Sequence, residues 1–214
     1  MKKTFLLFAV ITLITGISYS QVNKKDSTKK TDEIKTVFGN KKISHGGYGA
    51  LTIGYSQIDG QDAFITGARG SWVIGHSFAL GLGGIGFAND LYINNSPGSQ
   101  KYSLEGGYGG LILEPILLPK FPVHLSFPVL LGAGGVAYIN SSYYDNFEND
   151  FYVEDSDAFF IAEPGVELEM NLLKFIRLAV GASYRFTSDV HLDSKPNDVL
   201  NGYNATFTLK FGKF

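Results

Sequence analysis

The chain has 214 residues, 18 basic and 20 acidic side chains, a formal net charge of −2 and no cysteine. That composition excludes disulfides, thiol chemistry and acylation of an N-terminal cysteine, and it lacks the basic footprint of a nucleic-acid binder. With 26 Gly, 17 Phe and 12 Tyr against 2 Met, it favours strands over helices.

The first segment reads as a secretory signal over residues 1–20. Lys2 and Lys3 supply a positive start, Phe5 to Ile17 is apolar, and Ser18-Tyr19-Ser20 offers small residues at the cleavage position. Residues 21–44 carry Lys24, Lys25, Lys29, Lys30, Lys35, Lys41 and Lys42 against Asp26, Asp32 and Glu33. Polar and without periodicity, they are expected to form a flexible, solvated basic tail, with contact to peptidoglycan, anionic lipid or a periplasmic partner as the functional alternative. Beyond the signal no run of about 18 apolar residues occurs, so no spanning helix is expected.

From residue 45 to residue 214 apolar and polar residues alternate with period two, the pattern of strands with two unlike faces. Candidate strands lie near 46–56, 62–74, 77–89, 101–117, 122–138, 158–170, 175–187 and 201–213. Most meet the about 9–11 residues that a tilted strand needs to cross a bilayer. The fifth places Val123, Leu125, Phe127, Val129, Leu131 and Ala133 on one face. In the sixth, Phe160, Ala162, Val166, Leu168 and Met170 oppose Glu163, Glu167 and Glu169. In the seventh, Ile176, Leu178, Val180, Ala182, Tyr184 and Phe186 oppose Arg177, Ala179, Gly181, Ser183, Arg185 and Thr187. The eighth sets Tyr203, Ala205, Phe207, Leu209 and Phe211 against Asn204, Thr206, Thr208, Lys210 and Gly212. Links near 75–76, 118–121 and 171–174 are tight. Those near 90–100, 139–157 and 188–200 are long and polar, and the link near 57–61 is short but polar. The expected fold is an all-β, eight-stranded, antiparallel up-and-down transmembrane barrel.

Period two does not say which face points inward. Charges in mid-strand and aromatic residues such as Trp72, Phe121, Phe160, Phe175 and Tyr203 near strand ends place the apolar face toward lipid. The opposite assignment gives a soluble barrel with an apolar ligand cavity. With the apolar face outward, Arg69, Glu105, Glu163, Glu167, Glu169, Arg177 and Arg185 form an ion network in the lumen. An eight-stranded barrel is narrow enough for such side chains to fill it, so the network reads as a plug; a narrow pore for ions or small solutes is the alternative. Asp145, Glu148, Asp150, Glu154, Asp155 and Asp157 make an acidic outer loop, interleaved with aromatic residues and suited to contacts outside the cell.

No cofactor is expected. The histidines at 45, 76, 124 and 191 are scattered without metal-ligand spacing, so no metal site is expected either. Ser126 and His124 share a face, and with Glu163 as the acid they form the enzymatic alternative, a lipid-modifying site. The glycine-rich runs sit within strands and open no helix, so they are not phosphate-binding loops.

The order of signal, short tail, eight alternating strands and terminal Phe214 resembles small outer-membrane barrels of the OmpA/OmpX/OmpW type. More closely, His45-Gly46-Gly47-Tyr48-Gly49, Glu105-Gly106-Gly107-Tyr108-Gly109 and Glu163-Pro164-Gly165-Val166-Glu167 resemble an uncharacterised family of such barrels. The resemblance spans roughly residues 43–214. It implies the outer membrane of a Gram-negative bacterium, with lipid, lipopolysaccharide and the barrel assembly machinery as partners, and it implies no activity. Phe214 resembles the terminal aromatic that the assembly machinery reads. It is out of phase with the apolar row through Phe211, so a local bulge is expected near the end of the last strand.

Overall fold

The computed structural model describes residues 43–89, 100–143, 149–193 and 195–214. The signal (1–20), the tail as far as Lys42, the link 90–99, Asp145 and Glu148 lie outside the described residues.

Among the described residues nine strands follow one another: β1 (His45–Ile58), β2 (Gln61–Ile74), β3 (Phe78–Asn89), β4 (Gln100–Leu117), β5 (Val123–Ser126), β6 (Val129–Tyr143), β7 (Asn149–Leu173), β8 (Ile176–Thr187) and β9 (Gly202–Lys213). Strands β5 and β6 both lie between β4 and β7 and form one wall stave, broken at Phe127-Pro128. Pro128 has no N–H to give the ladder, which is why the predicted strand 122–138 is interrupted there. Counted as staves the barrel has eight. Every pairing is antiparallel, and β1 closes the ring by pairing with both β2 and β9.

The turns obey local sequence. Asp59 and Gly60 both have positive φ, 57° and 70°, the two-residue turn whose twist suits a hairpin and which Asp-Gly favours. Gly75 and His76 repeat it at φ 60° and 63°. The links 75–77, 118–122 and 174–175 gather at one end of the barrel with both strand termini, here the turn end. The Asp59-Gly60 turn, the strand ends at Asn89, Gln100, Tyr143 and Asn149, and the β8–β9 link form the loop end.

Outward positions are apolar. Leu51, Ile53, Phe64, Leu82, Leu131, Leu168, Val180 and Phe207 are exposed, as are the aromatic Trp72, Phe121, Phe160, Phe175, Tyr203 and Phe211. So continuous an apolar belt is not a surface that water tolerates, and it is the surface that a lipid-facing barrel wall presents. The soluble barrel is overturned by this observation.

Two predicted links are corrected. Residues 139–143 and 149–157, expected in a loop, are strand: β6 runs on to Tyr143 and β7 begins at Asn149. Asp150, Glu154, Asp155 and Asp157 therefore lie on a strand, in a projection of β4, β6 and β7 beyond the other staves. Aromatic and β-branched residues there satisfy a ladder although charge had suggested a loop. The segment 188–200 is not simply polar: Val190, Leu192, Val199 and Leu200 are buried in the barrel mouth. The expected bulge near Phe214 is also absent. The β1–β9 register runs without a shift from Gly47↔Lys213 to Ser56↔Asn204, and Phe214 turns inward onto Tyr48.

Glycine lets the wall curve where β4 meets β6. A Cβ on Gly132 would lie 2.0 Å from the Gly109 carbonyl oxygen, whereas one on Gly49 would meet nothing within 4 Å. Gly132→Ala should thus shift backbone and cost about 1–3 kcal/mol, as overpacking does. Gly49→Ala should leave urea-induced unfolding in lipid vesicles unchanged. Equal midpoints for the two variants would contradict this packing.

Candidate functional site: a stacked lumen

The lumen is filled in layers, and the layers follow strand phase. At the turn end Tyr48, Ala50, Val73, Ala79 and Ile116 form an apolar floor with Phe214 packed against it. The Tyr48 and Phe214 rings stack at 5.6 Å, and the Arg177 guanidinium lies 3.8 Å from the Phe214 ring centroid. The terminal aromatic thus sits beneath a buried cation.

Above the floor lies an ion layer. Glu114, Glu167 and Glu169 converge from β4 and β7, and Lys210 enters from β9 between them. Its Nζ lies 2.5 Å from a Glu114 oxygen and 2.9 Å from a Glu167 oxygen, and it also donates to Glu169. Arg69 donates to both Glu167 oxygens, at 2.7 and 2.9 Å. Arg177 Nη1 reaches Glu169 at 3.2 Å, and Tyr48 donates to Glu114. His124 Nε2 lies 2.9 Å from the same Glu169 oxygen. Three carboxylates face three cations, so the layer is balanced. The carboxylates converge closely enough to hold a metal ion, but the Lys210 ammonium fills that place and supplies its charge.

A cavity of about 60 Å³, bordered by Thr52, Arg69, Glu163, Glu167, Ser183 and Thr206, separates this layer from a second polar group. There Glu163 accepts from Tyr108 at 2.5 Å, Ser183 at 2.5 Å and Asn204 at 2.9 Å. Asn204 turns its carbonyl to Arg185 at 3.5 Å, so it mediates between carboxylate and guanidinium. Arg185 also donates to Ser56 and to the Leu200 carbonyl. Above it the lumen is apolar again, with Ile58, Ile65, Phe87, Leu104, Val136, Phe159 and Ile161 around Val190, Leu192, Val199 and Leu200.

Of the seven residues assigned to the lumen by sequence, Arg69, Glu163, Glu167, Glu169, Arg177 and Arg185 face inward. Glu105 does not. It is exposed on the outer side of β4, where Ser103 donates to it at 3.2 Å. The inward phase of β4 runs through Leu104, Tyr108, Ile112, Glu114 and Ile116. Glycines at 106, 107, 109 and 110 occupy both phases there and leave no side chain to mark the face. Glu114 and Lys210 were missed. Both carried a signal: Glu114 is a lone acid in an apolar run, tolerable only on the inner face, and Lys210 lies on the polar side of the last strand.

The Ser-His-acid arrangement does not form. His124 is engaged by Glu169 and the Phe121 carbonyl, Ser126 points to Glu167 at 3.4 Å, and Glu163 belongs to the upper polar group. A nucleophile needs its base within hydrogen-bond reach, and Ser126 donates to Glu167 instead of His124, whose carboxylate partner is Glu169 and not Glu163.

No family model matches the sequence, and no curated protein matches it. Among solved structures the barrel is similar to Neisserial surface protein A, at 12% identity and a TM-score of 0.46, covering 81% of this chain and 100% of that one. It is similar to Ail, the attachment invasion locus protein of Yersinia pestis, at 13% identity and 0.46, covering 78% and 96%. The N-terminal barrel domain of OprF from Pseudomonas aeruginosa stands at 9% identity and 0.43, covering 77% and 96%. The likeness is one of small-barrel form.

Lys210→Met would leave three buried carboxylates short of a cation, a change that costs about 3–5 kcal/mol when one partner of a buried pair is removed. Glu105→Gln, on the outer wall, should leave the unfolding midpoint in urea where it is. A Glu105 variant as damaging as the Lys210 variant would refute the assignment of faces on β4.

Proposed function

We propose that the chain is a non-enzymatic outer-membrane barrel of structural or interaction type, closed to ions and solutes. The observation that carries this reading is the ion layer. Six charged side chains from β2, β4, β7, β8 and β9 meet across the full width of the lumen, with carboxylates at most 6% exposed. A pore would need a continuous path, and here each carboxylate is met by a cation from another strand. The apolar group at the loop end is a second seal. The apolar belt is the surface for lipid and the lipid part of lipopolysaccharide.

The turn end then lies in the periplasm, where the basic tail would meet its partner and where assembly machinery would engage the last strand. The projection of β4, β6 and β7 stands outside the cell. Beyond its pairing with β6, β7 has no β8 partner before Ile161, so this projection offers a strand edge, while Asp155 and Asp157 accept from the backbone of Asp193 and His191. That is the surface for contacts with molecules outside.

Reconstituted in planar bilayers, the intact protein should show no discrete conductance steps across 100 mV in molar salt, while its unboiled form migrates apart from the boiled form in electrophoresis. Regular steps from the heat-modifiable species would defeat the closed reading and select the narrow pore.

A further inference from the structure

We infer that the mouth of the barrel is a binding site for a free, single-chain anionic amphiphile, such as a medium-chain carboxylate, and that residues 188–193 and 195–201 occupy it as an internal stand-in. The inference goes beyond the closed-lumen reading and leaves it intact, because the ion layer lies below the site.

Two observations meet there. The first is the cup. Ile58, Ile65, Phe87, Leu104, Val136 and Ile161 line an apolar chamber whose contents are not strand residues. Val190, Leu192, Val199 and Leu200 hang into it from a segment that belongs to no strand. That segment is held by contacts at the rim. The backbone N–H of His191 donates to Asp157 at 2.7 Å, the N–H of Asp193 to Asp155 at 2.8 Å, and Lys195 pairs with Asp59 at 2.5 Å. The Lys195–Asp59 pair is partly exposed, and such a pair adds little net stability. Ser188, whose N–H donates to the Phe160 carbonyl, and Asn201, which accepts from the Thr187 N–H, tie the two ends of the segment. The segment is thus a lid with polar ties and an apolar filling, and an aliphatic chain of roughly 10–14 carbons would replace the burial of that filling methylene for methylene.

The second is the base of the cup. Arg185 is wholly buried, with its guanidinium 5.5 Å from the Phe87 ring centroid and 6.0 Å from that of Tyr108. The partners it donates to are neutral: Ser56, Asn204 and, at 2.5 Å, the Leu200 carbonyl of the lid. Glu163 is held next to it by two intermediaries, Asn204 and Tyr108. A buried guanidinium is best satisfied by a carboxylate in two-pronged contact. The lid offers a carbonyl where that head group would sit and aliphatic side chains where its tail would lie. The mouth opens at the loop end, away from the lipid-facing wall, so the ligand enters from the water outside.

The test is equilibrium binding of radiolabelled dodecanoate to the full barrel in zwitterionic lipid nanodiscs, with empty discs as background. The intact barrel should bind at one saturable site. Asp59→Asn with Lys195→Ala, which breaks the ion pair and keeps at position 59 a residue that accepts the positive φ of the turn, should tighten binding about fivefold, because less of the population is self-occupied. Adding Arg185→Gln should weaken it at least about tenfold, as loss of a charge-assisted head-group contact does. Dodecanol, which has no charge, should be indifferent to Arg185→Gln. Asp155→Ala with Asp157→Ala provides a second loosened lid should the first pair disturb folding, and heat-dependent migration certifies each barrel. Absence of saturable binding to a folded, loosened barrel would overturn the inference. So would equal affinity for intact and loosened barrels, or dodecanoate binding that ignores Arg185. Whether the lumen conducts is read separately in planar bilayers, so failure here and failure of the closed reading are told apart.

Discussion

Lipid accepts no unpaired charge and no unpaired backbone donor, and nearly every choice in this barrel follows from that. A closed antiparallel ring satisfies the backbone, because each strand finds a neighbour on both sides. A period-two strand then has one face left for ionisable groups. Eight staves enclose a narrow space, so acids and bases sent inward from different strands are forced to meet. The cluster around Lys210 is the outcome: charges exiled from the wall neutralise one another in the lumen.

The interior is not uniformly polar, however. Two apolar groups, one under Tyr48 and Phe214 and one under the lid, hold the ion layer and the Glu163–Asn204–Arg185 group between them. Such sandwiching lowers the local dielectric and strengthens each charge-assisted hydrogen bond, while raising the penalty for any partner that is lost. The layers thus make the lumen rigid at its centre and leave adaptability at the mouth, where the contents are a loop.

Sequence patterning reached the fold because membrane strands announce two faces. The rows through Leu178 and Val180, Leu168 and Met170, or Phe207 and Leu209 are unbroken and long enough to fix stave, direction and wall. It failed where side chains stopped marking the face. Along Gly106-Gly107-Tyr108-Gly109-Gly110 the alternation is silent, so Glu105 was turned inward and Glu114 overlooked. It also failed where composition misled: Asp155 and Asp157 suggested a loop, yet their strand pairs with β6. The four apolar residues of the lid are too few and too spaced by polar neighbours to show a period. The meeting of Lys210 with Glu114 and Glu169 lay beyond any local pattern, since these partners are 96 and 41 residues away along the chain.

The ring is closed by β9 pairing with β1, the pairing that spans the greatest length of chain and so carries the largest loop-closure entropy. Lys210 rides on β9. The last stave therefore carries two things at once, the ladder that closes the ring and the ammonium that Glu114, Glu167 and Glu169 share. A barrel without β9 would have an open edge on either side of the gap and three inward carboxylates without that counter-charge.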